Sequence, residues 1–225
     1  MKYMSSILAK KYNKIAILYY DCKVCDEKHA LAYTPKFKLG IYRVPSHPMS
    51  KQKTPPEIQA IHDELGIPAH YASSCGLDFQ PDCQSLVATE LDVFGRQPYL
   101  SESAFIAWQE MQKAASEDGI ELQIVSAFRS ADYQKNLLQR KLEAGQCLED
   151  ILKVNAAPGF SEHHSGCALD ITTPDFEPLE EVFENSPAFI WLCEHGKQYG
   201  FSMSFPKQND AGIAYEPWHW KYAAD

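Results

Sequence analysis

The chain has 225 residues, of which 45% are hydrophobic and 23% are charged, and its formal net charge is −9 at pH 7. This balance is typical of a globular protein with one substantial domain, alone or with an extension. The acidic charge argues against a nucleic-acid-binding protein, which would carry a basic surface. No run approaches the roughly 18 consecutive apolar residues of a membrane span.

The first 55 residues are predicted to be an N-terminal extension of unknown role, followed by a domain over residues 56–225. Five prolines between positions 35 and 56 favour a linker or an irregular arm. The apolar run at 15–20 is short for the core of a signal peptide, and Asp21 follows it in place of a small-residue cleavage site. We therefore expect a cytoplasmic rather than a periplasmic protein.

Seven cysteines are too few for a disulfide scaffold, and their odd number leaves at least one without a partner in the chain. Mostly reduced thiols are expected. Cys22 and Cys25 form a single CxxC pair with no second pair to complete a metal site. A structural zinc or a redox role is one interpretation of this pair, and incidental thiols in a strand or loop are the other.

Four helices are predicted where apolar residues at helical spacing follow a Ser or Pro and stop near a Gly. They run from Pro56 to Gly66, from Ser101 to Gly119, from Ser130 to Gly145 and from Ser186 to Gly200. In the second helix the stripe of Ala104, Trp108, Met111 and Ala115 is predicted to face the core. In the fourth, the residues expected to face inward are Phe189, Ile190, Cys193 and Tyr199.

Strands are predicted where β-branched and other apolar residues form short runs. The candidates are Leu86–Ala88, Leu91–Val93, Ile120–Phe128, Cys167–Thr172 and Trp218–Tyr222. Helices and strands do not alternate strictly, which favours an α+β fold with a small, mainly antiparallel sheet flanked by helices.

Two segments, 161–170 and 215–220, concentrate histidines and carboxylates among apolar and aromatic residues. Two imidazoles and one carboxylate can hold a zinc ion in three positions and leave the fourth open for water. A further carboxylate that is not a ligand can take a proton from that water. We interpret His163, Asp170 and His219 as the ligands and Glu216 as the base. A histidine among aromatics is more often a packed core residue, so a polar core remains an alternative to a metal site at this point.

The local sequence places these groups on definite elements. Pro217 lacks an amide hydrogen and pushes Glu216 toward an extended conformation. Trp218, Trp220 and Tyr222 alternate with the residues between them, which is the period of a strand. His219 is therefore predicted on a short strand and Glu216 in the turn before it, with a bend at Pro217 that lets the two side chains converge.

Two sequence patterns resemble the signature of the VanY-type zinc D-alanyl-D-alanine carboxypeptidases: SxHxxGxAxD beginning at Ser161, and ExxHW beginning at Glu216. The likeness extends upstream to residues 126–130 and Gln134, and it covers about residues 85–222. The resemblance implies a Hedgehog/DD-peptidase-like fold, in which helices pack around a sheet that carries the zinc.

The same resemblance implies that His163, Asp170 and His219 bind Zn²⁺ and that Glu216 is the base. Of the two adjacent histidines it assigns the ligand position to His163, and it leaves His164 behind the ligands or facing solvent.

The substrate is also implied by the resemblance. A planar guanidinium suits a carboxylate, although Arg129 taken alone is more often part of a surface ion pair. In similar enzymes this Arg and the Gln five residues later, here Arg129 and Gln134, hold the free carboxylate of the terminal D-alanine. Ser161 and Ser126 are weaker candidates for the same pocket.

The expected activity is release of a carboxy-terminal D-alanine from peptidoglycan stem peptides or their fragments. An L,D-carboxypeptidase or a D-Ala-D-Ala dipeptidase of the same chemistry is an alternative. A zinc-stabilised module that binds peptides without cutting them is another.

Overall fold

The structure is a computed structural model that describes residues 54–223. The α-helices, named α1 to α6 in chain order, are Pro56–Leu65, Tyr71–Ser74, Glu102–Glu117, Ala131–Glu143, Leu148–Val154 and Pro187–His195. The strands, β1 to β6, are Leu86–Ala88, Tyr99–Ser101, Gln123–Ser126, Ala168–Thr172, Phe201–Met203 and His219–Tyr222. Short 3₁₀-helices cover Glu162–Ser165, Glu181–Asn185 and Gly196–Tyr199.

Four strands form one sheet in the order β3-β4-β6-β5, and every neighbouring pair is antiparallel. Strands β1 and β2 form a separate antiparallel pair. Helices α3 and α6 pack against the four-stranded sheet, so the predicted α+β class with small antiparallel sheets is confirmed.

Strand β4 lies between β3 and β6, and all five of its residues are buried. Its Leu169 and Ile171 belong to one hydrophobic cluster with Trp220 of β6 and with Trp108 and Met111 of α3. The predicted stripe of α3 is confirmed, since each of its four members is fully buried. Strand β4 therefore has one face in this core, and its other face carries Ala168, Asp170 and Thr172.

The predicted capping residues begin their helices as expected. The hydroxyl oxygens of Ser101, Ser130 and Ser186 accept hydrogen bonds from the backbone N–H groups three residues later, at 3.4, 3.1 and 3.0 Å. Each bond satisfies one of the amides that a helix start leaves without a partner.

The inward face predicted for residues 186–200 is confirmed in part, since Phe189 and Tyr199 pack against the core but Ile190 and Cys193 do not. Ala188, Trp191 and Leu192 are buried, whereas Ile190 is 54% exposed and Cys193 is exposed. The helix is apolar on several sides, so its sequence offers more than one apolar stripe. The hydrogen bond from Trp191 Nε1 to Asp118 Oδ2, at 2.8 Å, contributes to the orientation that is adopted.

The predicted strands at 91–93 and 120–128 were also wrong in extent or type. Residues 91 and 92 are irregular instead, and a turn follows from Asp92, whose carboxylate accepts hydrogen bonds from the N–H groups of Phe94 and Arg96 at 2.9 and 2.8 Å. Strand β3 covers only Gln123–Ser126, and its register with β4 shifts between Ile124 and Ser126.

Several predictions concern residues outside the described part of the chain. They are the extension over residues 1–55, of which only the last two residues are described, the Cys22–Cys25 pair, and the cytoplasmic location inferred from residues 15–20. Among residues 54–223, none of the helices combines the length and apolarity that a bilayer crossing requires. The cysteines described are free thiols, as expected: Cys75, Cys83, Cys147, Cys167 and Cys193.

Gly166 connects the 3₁₀-helix at 162–165 to β4, and it should tolerate no side chain. Its φ is +69°, and a Cβ there would lie 3.0 Å from the backbone nitrogen of Ser101. Gly119 has a similar φ of +77° but nothing within 4 Å of such a Cβ. Gly119→Ala should therefore cost about 1–2 kcal/mol from the left-handed backbone alone. Gly166→Ala should cost at least about 1 kcal/mol more, because it also crowds β2.

Urea denaturation of the two variants measures this difference directly. Equal losses in the two proteins would show that the approach of β2 does not restrict position 166.

Candidate metal centre

Three buried side chains meet at one face of the sheet: His163, Asp170 and His219. One potential ligand atom from each lies within 4.8 Å of the other two. Asp170 and His219 are direct partners across β4 and β6, and directly opposed residues of an antiparallel pair share one face of the sheet. The 3₁₀-helix at 162–165 places His163 beside them, and Gly166 turns the chain from that helix into β4.

Hydrogen bonds fix the orientation of the His163 ring. Its Nδ1 donates to the carbonyl oxygen of Ala127 at 2.6 Å. Its Nε2 therefore faces Asp170 Oδ2 at 3.3 Å, but without the alignment of a hydrogen bond, and it is buried with no hydrogen-bond partner. A buried nitrogen with a free lone pair beside a carboxylate is the arrangement that a metal ion satisfies.

The ring of His219 also directs a nitrogen toward the Asp170 carboxylate. Nδ1 of His219 lies 3.0 Å from Asp170 Oδ1, and its Nε2 lies 2.9 Å from Glu162 Oε2. The rings of His163 and His219 are 4.9 Å apart and nearly perpendicular. Two imidazoles and one carboxylate form a donor set that fits a zinc ion with one position left open.

The two imidazoles have opposite pKa shifts without a metal. Burial and then the charge of Arg129 lower the pKa of His163 to about 4, so this ring is neutral at pH 7. Burial also acts to lower the pKa of His219, but hydrogen bonds to Asp170 and Glu162 outweigh it and raise the value to about 10. The pKa of Asp170 is well below its usual range, because the two histidines outweigh the effect of burial.

Glu216 is the first residue of the turn through Pro217 and Trp218 that leads into β6, as predicted. The turn is closed by the hydrogen bond from the N–H of His219 to the Glu216 carbonyl oxygen, at 3.1 Å. It brings Glu216 Oε2 to 3.9 Å from His219 Nδ1. Burial is the largest cause of the rise in the pKa of Glu216 to about 7. A carboxylate with this pKa, next to the three candidate ligands, is suited to take and return a proton near neutral pH.

A small cavity opens onto these groups, and Arg129, Gln134 and Ser161 line it together with His163 and Glu216. Nη1 of Arg129 is 4.0 Å from Asp170 Oδ2, and its Nε is buried with no partner. Gln134 donates from Nε2 to the Ala156 carbonyl oxygen at 2.9 Å, while its Oε1 is buried with no partner.

Ser126 takes a different place. It lies on β3 opposite Asp170 and is not among the residues that line the cavity.

Glu162 and Lys221 were not predicted from the sequence. Glu162 accepts from His219 Nε2 through one oxygen and from Lys221 Nζ, at 3.1 Å, through the other. Burial alone would raise the pKa of Glu162, but His219 and Lys221, with a smaller effect of the Ser204 side chain, lower it to about 2. The alternation of β6 places Lys221 on the same face as His219, which was a usable signal. Nothing in the sequence marked Glu162 as their common partner.

His164, which was expected behind the ligands or facing solvent, is completely buried. Its Nδ1 donates to the Arg129 carbonyl oxygen at 2.5 Å, and its Nε2 accepts from the N–H of Gly159 at 3.1 Å. The ring therefore ties the segment that carries His163 to the one that carries Arg129, and the solvent-facing alternative is excluded.

Comparisons with known proteins match the chain to the group of peptidases that its sequence patterns resemble. The family model described as "VanY: D-alanyl-D-alanine carboxypeptidase" matches residues 97–225. The putative carboxypeptidase YodJ of Bacillus subtilis (strain 168) is 34% identical over 131 residues, which is 55% of this chain and 46% of YodJ. The chain thus spans about half the length of this curated relative.

Two solved structures share the fold. The structure of the LdcB LD-carboxypeptidase, described as revealing the basis of peptidoglycan recognition, aligns with a TM-score of 0.57 and 30% identity over 63% of this chain and 69% of LdcB. A mutant of the D,D-pentapeptidase VanY from the VanB-type vancomycin resistance cassette, in complex with Zn(II), aligns with a TM-score of 0.51 and 22% identity over 65% of this chain and 84% of that one.

The protonation of His219 predicts that metal binding releases protons. With a pKa of about 10, the metal-free ring is an imidazolium at pH 7, and a ligand nitrogen must be deprotonated. Zinc titrated into the metal-free protein at pH 7 should therefore release at least about one proton per ion. Calorimetry in buffers of different ionisation enthalpy measures that number. Binding with no proton release would contradict the assignment of His219 as a charged group in the metal-free protein.

Proposed function

The chain belongs to the VanY family of D-alanyl-D-alanine carboxypeptidases, and on that premise we propose that it is a zinc-dependent carboxypeptidase acting on peptidoglycan-type peptides. The bond cleaved is the one that joins a carboxy-terminal D-alanine to the rest of the peptide. The observation that carries this proposal is the convergence of His163, Asp170, His219 and Glu216 at one buried site. The names of YodJ, a putative carboxypeptidase, and of LdcB, an LD-carboxypeptidase described with peptidoglycan recognition, support peptidoglycan-type peptides as the substrate class.

The metal is proposed to be Zn²⁺, held by His163, Asp170 and His219. Support comes from the donor set, from the unpartnered Nε2 of His163 and from the zinc-bound VanY structure of the same fold. When bound, zinc would lower the pKa of a water molecule to near neutral and polarise the scissile carbonyl.

Glu216 is proposed as the general base and then the general acid. Its carboxylate accepts a proton from the attacking water and delivers it to the amine of the departing D-alanine. Its buried position near His219 keeps its pKa close to the pH at which both transfers are possible. The sequence of transfers returns Glu216 to its starting form after each turnover.

Arg129 and Gln134 are proposed to bind the carboxy-terminal residue of the substrate around its free carboxylate. Each has one buried polar atom without a partner, and both line the cavity next to the metal ligands. The Arg129 guanidinium pairs with the carboxylate and fixes the end of the peptide, so that the cleaved bond is one residue from it. Ser161, which is buried in the same cavity, is a further candidate contact. Ser126 does not line this cavity, so its contact with the substrate remains a prediction from the sequence alone.

A second candidate is an L,D-carboxypeptidase that trims tetrapeptides, since the LdcB LD-carboxypeptidase shares the fold at 30% identity. A module that only binds peptides would have no use for a base, so the buried carboxylate of Glu216 argues against that alternative.

Defined peptides distinguish these activities. We expect release of one D-alanine from a pentapeptide that ends in D-Ala-D-Ala, detected by mass spectrometry with zinc-loaded protein. The corresponding carboxy-terminal amide should be cleaved about 10- to 100-fold more slowly, because it cannot form a charge-assisted hydrogen bond to Arg129. Faster cleavage of the tetrapeptide would assign the L,D-activity, and cleavage of the free dipeptide alone would assign a dipeptidase. Zinc-loaded protein that cleaves none of these peptides would refute the proposal.

Replacing the proposed base separates catalysis from metal binding. Glu216→Gln should retain zinc in a one-to-one ratio by elemental analysis, because Glu216 is not a proposed ligand. Its kcat should fall by about 10²- to 10⁴-fold, since the amide cannot accept the proton. His219→Ala is the matched control and should lose the metal itself. Undiminished turnover by Glu216→Gln would exclude Glu216 as the base.

A further inference from the structure

Glu162 joins two residues of β6 that lie on one face of the strand. Its Oε2 accepts from His219 Nε2 at 2.9 Å, and its Oε1 accepts from Lys221 Nζ at 3.1 Å. The Glu162 side chain is only 14% exposed, and that of Lys221 is 28% exposed. Each carboxylate oxygen therefore has its own cationic or N–H partner in a mostly buried contact.

The bond from His219 to Glu162 completes a symmetrical arrangement around the centre. The outer nitrogen of His163 donates to the Ala127 carbonyl oxygen, and the outer nitrogen of His219 donates to Glu162. The inner nitrogens, Nε2 of His163 and Nδ1 of His219, both face Asp170. A histidine that binds a metal is generally held in this way, because its second N–H needs an acceptor that fixes the tautomer and the ring orientation.

Lys221 determines which oxygen of the Glu162 carboxylate faces His219. Residues 219 and 221 are two positions apart on a strand, a separation of about 6–7 Å that a single carboxylate can bridge with one oxygen toward each. The ammonium of Lys221 holds Oε1 and so directs Oε2 to His219. Both oxygens must be acceptors for this arrangement to exist.

We propose that Glu162 is a positioning residue of the metal centre, which, held by Lys221, fixes the His219 ring for metal binding through Nδ1. This inference rests on the proposed function, since it assumes that the centre binds zinc. It assigns no contact with substrate to Glu162.

The test uses Glu162→Gln, a substitution of nearly the same shape. An amide has one acceptor oxygen where the carboxylate has two, so it cannot serve both His219 and Lys221. Lys221 attracts the amide oxygen, which turns the NH₂ group toward His219 Nε2 and opposes the required tautomer. The affinity of the metal-free protein for Zn²⁺, measured by competition with a chromophoric chelator, should fall by about 10- to 100-fold.

Removing Lys221 should reverse part of this loss. Lys221→Met alone leaves Glu162 on His219 and should weaken zinc binding by less than about fivefold. The double variant Glu162→Gln with Lys221→Met frees the amide oxygen to accept from His219, so it should bind zinc more tightly than Glu162→Gln alone. The absorption spectrum of the Co²⁺-substituted proteins should follow the same order, because it reports the ligand geometry directly.

Asp92→Asn provides the matched control. Asp92 is another buried acid, paired with Arg96 at 2.7 Å, and its partners include none of the proposed ligands. It should lower the melting temperature without changing zinc affinity. Thermal melts of the metal-free variants identify any loss of affinity that reflects only lost stability.

The outcomes separate this inference from the proposed function. Wild-type protein that binds no zinc would overturn the proposed function. Wild-type binding with unchanged affinity in Glu162→Gln, or a double variant no tighter than Glu162→Gln, would overturn the inference alone. An equal loss of affinity in Asp92→Asn would also overturn it, because the effect would then be one of general stability.

Discussion

The pairing of Asp170 with His219 across β4 and β6 is the contact on which the rest of the site depends. The next pair along the same strands, Leu169 with Trp220, lies in the hydrophobic core. Because side chains alternate between the faces of a strand, burying Leu169 and Trp220 turns Asp170 and His219 to the opposite face together. A slip of one residue would move His219 into the core. Hydrophobic packing on one face of the sheet thus sets the register of the proposed ligands on the other.

The surroundings of this pair give the two neighbouring glutamates, Glu162 and Glu216, different pKa values. Glu162 has two partners within hydrogen-bond distance, and its pKa is lowered to about 2. The Glu216 carboxylate oxygen Oε2 lies 3.9 Å from His219 Nδ1, beyond hydrogen-bond distance, and burial raises the pKa of Glu216 to about 7. Two acids whose environments push their pKa values apart are suited to different work. Glu162 stays ionised and can orient its neighbour, whereas Glu216 can gain and lose a proton near neutral pH.

The sequence predicted those features that depend on local chemistry. A serine hydroxyl caps a helix wherever it lies, so Ser101, Ser130 and Ser186 were identified correctly. The turn before His219 followed from Pro217, which restricts its neighbour in any context.

Features that depend on tertiary packing could not be predicted in this way. The buried face of α6 is chosen by what packs against it, since the helix offers more than one apolar stripe. The role of Glu162 depends on a contact across 57 positions of sequence to His219, and no spacing rule extends that far. The partial match of β3 has a similar cause, because its register shift arises where it meets β4.

The described residues contain three buried side-chain atoms without a hydrogen-bond partner: Arg129 Nε, Gln134 Oε1 and His163 Nε2. All three residues line the same cavity. The lone pair of His163 Nε2 suits a cation, the Arg129 N–H suits a carboxylate, and the Gln134 oxygen suits an N–H donor. The three unpartnered atoms therefore lie where the proposed metal ion and the proposed peptide end would each provide a partner.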